Sequence, residues 1–91
     1  MDEAGFNLLM SQGFLKWEAR VLASAYSWEQ LMEYPYFLKM RRGRAAHLAR
    51  LEKLGYTERR KKNVIRRIYR KHGWETPLDM AREFSNREKG R

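Results

Sequence analysis

Arg59, Asn63, Arg66 and Arg70 recur at intervals of three and four residues, the spacing that sets side chains on one side of an α-helix. A row of guanidinium groups is suited to holding phosphate oxygens through charge-assisted hydrogen bonds. The amide in the row adds a group able to read a base edge, since asparagine matches adenine as arginine matches guanine. Arg60, Lys62 and Arg67 flank this row, and Lys39, Arg42, Arg50 and Lys53 occupy the outer side of the preceding segment. These eleven residues are the candidate nucleic-acid contacts.

They belong to a wider imbalance of charge. Residues 39–71 hold fourteen of the twenty lysines and arginines and only two acids, Glu52 and Glu58, for a formal +12. Residues 1–38 carry Lys16 and Arg20 against Asp2, Glu3, Glu18, Glu29 and Glu33, a sum of −3, and residues 72–91 balance to zero. Charge concentrated in one segment attracts polyanions, so the segment names a class of partner.

Other chemistries find little to work with. The histidines are His47 and His72, and no paired carboxylates, metal-ligand spacing, phosphate-cradling glycine loop or nucleophile elbow appears. Glu18, Glu29 and Glu33 lack the further ligands that a two-metal site needs. The expectation is a non-catalytic protein without cofactor or metal. Absence of cysteine removes disulfides and thiolate metal sites and favours a cytoplasmic setting. No apolar run has the length of a signal peptide or membrane span, and a membrane-surface role fits poorly because the apolar face of the basic helix is narrow and lacks tryptophan.

The elements that must position the basic residues follow from periodicity and punctuation. With 91 residues, 43% of them apolar, the chain reads as a single folded domain over 1–91, with 1–12 and 86–91 the segments expected to be mobile. Phe14, Trp17, Val21, Leu22 and Ala25 recur at helical spacing and predict a helix over 15–25. Ser27 and Gln30 form a capping pair for a short helix over 28–33, which Pro35 stops and replaces with a helix over 36–54. Gly55 ends that helix, Thr57 opens another over 58–72, Gly73 ends it, and Thr76 with Pro77 and Asp79 opens a last one over 77–84. The first ten residues fit a helical turn or an extended arm. No segment alternates like a strand, so the fold class is all-α, a small bundle of four to five helices with a central helix-turn-helix-like pair. Trp17, Trp28 and Trp74 are the expected core anchors.

On a helical wheel of 58–72, Val64, Ile65, Ile68 and His72 share the core face, with Tyr69 at its edge, and the arginine row lies opposite. The preceding helix is less regular. Arg41 and Arg44 project within its apolar stripe of Phe37, Met40, Leu48 and Leu51. An unpaired buried charge is too costly to tolerate, which leaves three readings: pairing with Glu29 or Glu33, a bend at Gly43 that frees both to solvent, or an anion-binding groove. The aromatic run Tyr34, Tyr36 and Phe37 around Pro35 fits either packing of that corner or stacking on unpaired bases.

Residues 47–70, with Gly55 at the turn, resemble in part the helix-turn-helix of transcription regulators, whose second helix enters the major groove. Leu54, Tyr56 and Val64 fall at its apolar positions. Leu51 stands where a small residue is usual, and Arg50 and Lys61 stand at positions normally buried. The resemblance implies Arg59, Asn63 and Arg66 as base-reading residues. Taken together, these features predict a small basic protein that binds nucleic acid, DNA ahead of RNA, through phosphates along 36–54 and 58–72. The alternative is a protein-interaction or assembly module, of the kind common among phage and mobile-element products, that docks on an acidic partner or on a second copy of itself.

Overall fold

Short polar side chains open four of the helices. In the computed structural model, which describes residues 1–90, Asp2, Ser27, Thr57 and Thr76 each accept a hydrogen bond from a backbone N–H of the first turn that follows. Such caps satisfy donors that have no partner inside a helix. They begin α1 (Glu3–Ser11), α3 (Trp28–Glu33), α5 (Glu58–His72) and α6 (Pro77–Lys89). The remaining two are α2 (Lys16–Ala25) and α4 (Pro35–Lys53), the latter opened by Pro35 in its first position. Six helices and, among the described residues, no strand make the protein all-α.

Residues 3–11 are the helical alternative left open at the N-terminus. Leu9 is wholly buried, and the Asp2 carboxylate accepts from Gly5 N at 3.0 Å and from Trp28 N at 2.7 Å, tying the starts of α1 and α3 together. Hydrogen bonding to the two N–H groups holds the Asp2 carboxyl below its ordinary pKa. At the other end α6 continues five residues beyond the predicted limit of 84, to Lys89; Arg91 lies outside the described residues. Gly13, at φ 88°, turns the chain from α1 to α2 with Leu48 against it, and a Cβ there would lie 2.2 Å from a Leu48 methyl. Only glycine suits that turn.

Leu9, Phe14, Leu22, Leu31, Phe37 and Ile65 form the centre of the core, joined by Met40, Tyr69, Met80 and Ala81. Phe37 packs edge-on against Tyr26 at 4.7 Å and lies beside Tyr34 and Tyr36, so the aromatic run around Pro35 packs the α3–α4 corner. Removing a ring of this kind typically costs about 3–5 kcal/mol.

The tryptophans do not anchor this core. Trp17 and Trp28 are 44% and 40% exposed, and Trp74 only packs along the margin. On α2 the wheel is turned relative to expectation: Glu18, Ala19, Leu22 and Ala23 face inward, which leaves Trp17 leaning on Tyr69 at 5.4 Å from the outside. In α3, Leu31 takes the inward position and Trp28 the open side of the first turn.

Candidate nucleic-acid interface

The site begins with a buried acid. Glu18 is fully enclosed on α2, and its carboxylate receives both terminal nitrogens of Arg44 from α4, the Tyr69 hydroxyl from α5 at 2.5 Å and the Leu15 N–H at 2.9 Å. Arg44 also lies over the Phe14 ring at 4.4 Å. Every polar atom of the cluster is thereby satisfied, the condition under which a buried pair is tolerated. Burial first, and the Glu18 charge beside it second, push the Tyr69 phenol well above its ordinary pKa, so it remains a donor.

Arg41 solves the same problem without an acid. Its Nε donates to the Leu31 carbonyl at 3.1 Å, one terminal nitrogen to Gln12 Oε1 at 3.0 Å and the other towards the Met32 carbonyl at 3.5 Å. The Leu31 and Met32 carbonyls lie at the C-terminal end of α3, where helix dipoles favour a cation. Burial, with Arg42 as the lesser cause, lowers the pKa of the guanidinium. Pairing with Glu29 or Glu33, and a bend at Gly43, are therefore both corrected: α4 runs unbroken through Gly43, and both arginines turn inward to other partners. The acid that takes Arg44 stands on α2, where the apolar count pointed to Trp17 instead.

Apart from Lys61, what remains of the basic block faces water. Arg59, Arg60, Lys62, Asn63, Arg66, Arg67 and Arg70 are all exposed on α5, as are Arg42, Arg50 and Lys53 on α4. Among the described residues, none of the cations in these two sets has an acidic side chain within 4 Å. Two candidates are partly engaged: Lys39 pairs with Glu88, and Arg60 lies over the Tyr56 ring at 4.3 Å. Thr57 and Gly73 bound α5, and Ile65 and Tyr69 fix it from the buried side, so the arginine row has a rigid support. At about 1.5 Å per residue it runs over roughly 16 Å from Arg59 to Arg70.

Of the two residues at positions that a helix-turn-helix buries, Lys61 is nearly covered, its side chain 12% exposed between Glu58 at 2.7 Å and Glu52 at 3.7 Å, and Arg50 is exposed on the outer side of α4 as expected. His72 leaves the core face for the rim, where it stacks on Trp74 at 4.4 Å and approaches Glu83 at 3.7 Å. Helix α5 ends at His72, so the last turn opens outward and Trp74 covers the core in its place.

Two openings border α5. An open groove of about 660 Å³ lies between its first turns, the second half of α4 and the α1–α2 turn, with Lys16, Lys61, Lys62, Glu52 and Glu58 in its lining. A narrower cleft of about 220 Å³ lies among α4, the last turns of α5 and α6. Among the described residues no group of three or more histidine or acidic side chains is placed to hold a metal ion, and no helix is long and apolar enough to cross a membrane. No protein-family model matches the chain, and no curated protein or solved structure matches it.

Proposed function

We propose that this protein binds nucleic acid without catalysis, through backbone phosphates, with the outer face of α5 as the main contact. The observation that carries this reading is the row of exposed, acid-free cations on a helix whose charge is eight lysines and arginines against Glu58 alone. A face that serves only solubility ordinarily interleaves both signs. The inward arginines do not weaken this account, because Arg41 and Arg44 on α4, with Lys61 between Glu52 and Glu58, are the members of the block taken up by the fold and none of them belongs to the outward row. DNA is the form proposed first, with Arg42, Arg50 and Lys53 on α4 as secondary contacts.

Fluorescence anisotropy with random duplex DNA over a salt series tests the reading. If about five phosphates are neutralised, log K falls against log salt with a slope near −4 to −5. R66A/R70A reduces that slope by about 2 and weakens all sequences alike. A flat salt response, or an unchanged slope in the double variant, refutes it.

A second reading, a protein-interaction or assembly module, draws on α3. Trp28, Met32 and Tyr34 are exposed there together with Glu29 and Glu33, an apolar and acidic face on the segment of opposite charge. Exposed apolar groups rimmed by charge are a mark of protein contact surfaces. Sedimentation of the free protein decides: a monomer at all concentrations removes self-association.

A further inference from the structure

Gly43 stands in the middle of the 19-residue α4, where glycine costs about 1 kcal/mol relative to alanine. No packing accounts for it: a Cβ built there meets nothing within 4 Å, and φ is not positive. By contrast, Gly5 lies under a Leu31 methyl 2.8 Å from where its Cβ would be, and Gly13 under Leu48. What Gly43 does border is the 220 Å³ cleft. The missing side chain leaves the mouth of that cleft open.

The cleft has the chemistry of a small-ring site. Ile68 and Phe84 supply apolar walls over a floor of the buried Met40, Ile65 and Met80, and the stacked His72–Trp74 pair forms an aromatic edge. Its polar lining is Arg44, which Glu18 already occupies, the donor Arg87, and His47 and His72, each of which as a neutral imidazole offers one donor and one acceptor nitrogen. Arg87, its side chain 60% exposed, donates to Glu83 at 2.7 Å and lies over Phe84 at 5.2 Å. No acid is among the described lining residues, although Glu83 behind them accepts from Arg87 and from the Trp74 N–H and approaches His72, so the donors left to a ligand are the remaining N–H groups of Arg87 and the imidazoles. Drug-sized ligands fill about 300–1,000 Å³, and this smaller space matches a single planar ring system.

Building on the phosphate-binding reading, we infer that this cleft receives one unpaired nucleobase of a bound strand, its ring between the apolar walls and the His72–Trp74 edge and its carbonyl and ring-nitrogen acceptors towards His47 and Arg87. The cleft lies beside the last turns of α5, on the side of Ile65, Ile68 and His72 and opposite the phosphate-contacting row, so a strand that serves both passes round the end of that helix. The protein then favours single strands and extruded bases over intact duplex.

Three probes in one anisotropy experiment test this: a 12-nucleotide single strand, the same strand made wholly abasic, and the matching duplex, each with wild type, G43L and R66A/R70A. A stacked base contributes about 1–3 kcal/mol, so wild type is expected to bind the intact strand about 5- to 150-fold tighter than the abasic one. Leucine favours helix over glycine and projects into the mouth, so G43L is expected to lose that ratio while its duplex affinity stays unchanged. Equal binding of intact and abasic strands by wild type, with duplex binding retained, overturns the cleft and leaves the phosphate reading standing. Absence of binding to all three probes overturns both, and if G43L fails to fold the wild-type ratio alone decides.

Discussion

Arg44 and Arg66 come from the same basic block, yet the first is held almost out of water by a carboxylate and the second projects into solvent with no acid paired to it among the described residues. The pair shows that charge density does not separate a structural arginine from a binding one; the neighbours of the guanidinium do. Arg44 meets an acid that is itself fully buried, so each depends on the other. Arg41 occupies an intermediate place, buried among carbonyls and one amide.

Variants that exchange these roles should separate them. The largest expected loss is in E18Q, which leaves Arg44 enclosed without its counter-charge and should cost about 3–5 kcal/mol by urea denaturation. Adding R44M to that variant should recover part of the loss, as removing both partners of a buried pair does. A single R41M should cost less, about 1–3 kcal/mol, because it exposes no opposite charge and only strands the Leu31 carbonyl and Gln12. If R41M proves worse than E18Q, the ranking of acid-paired over carbonyl-held arginine is wrong. R66A/R70A should change stability by no more than about 0.5 kcal/mol while binding falls, the reverse of E18Q.

His47 gives the smallest effect. Burial first, then Arg50 and Arg44, lowers its pKa in the folded protein. On acidification the unfolded chain therefore takes up that proton first, and stability present above about pH 6.5 declines as pH falls below it. In H47Q this component should vanish from the pH dependence between 7.5 and 5, with the rest of the curve unchanged.

Much of the fold is legible in the sequence because its boundaries are chemical. Ser27, Thr57, Thr76, Pro35 and the glycines at 55 and 73 act locally, and helices begin and end at them. Facing is less legible. Trp17 and Glu18 are adjacent, and hydropathy alone puts the tryptophan inside; the opposite outcome depends on Arg44 and Tyr69, which lie 26 and 51 residues further on. The outward row on α5 is legible because fifteen residues sample the helical period and few of them are ambiguous. The cleft is not, since its walls come from α4, α5 and α6 and its clearest signal, Gly43, reads in sequence as a bend.

The Glu18 cluster also bears on the order in which the molecule assembles. Its carboxylate stays hydrated until Arg44 and Tyr69 arrive, so a chain emerging from the ribosome cannot dry the inward side of α2 while only the acidic N-terminal third is present. Contacts that span so much chain form late and couple distant parts, which makes the first 38 residues and the basic block a single cooperative unit. Hydrogen exchange in α2 should accordingly proceed at the rate of global unfolding rather than by local opening, and a fragment ending before Tyr69 should show α2 amides without protection.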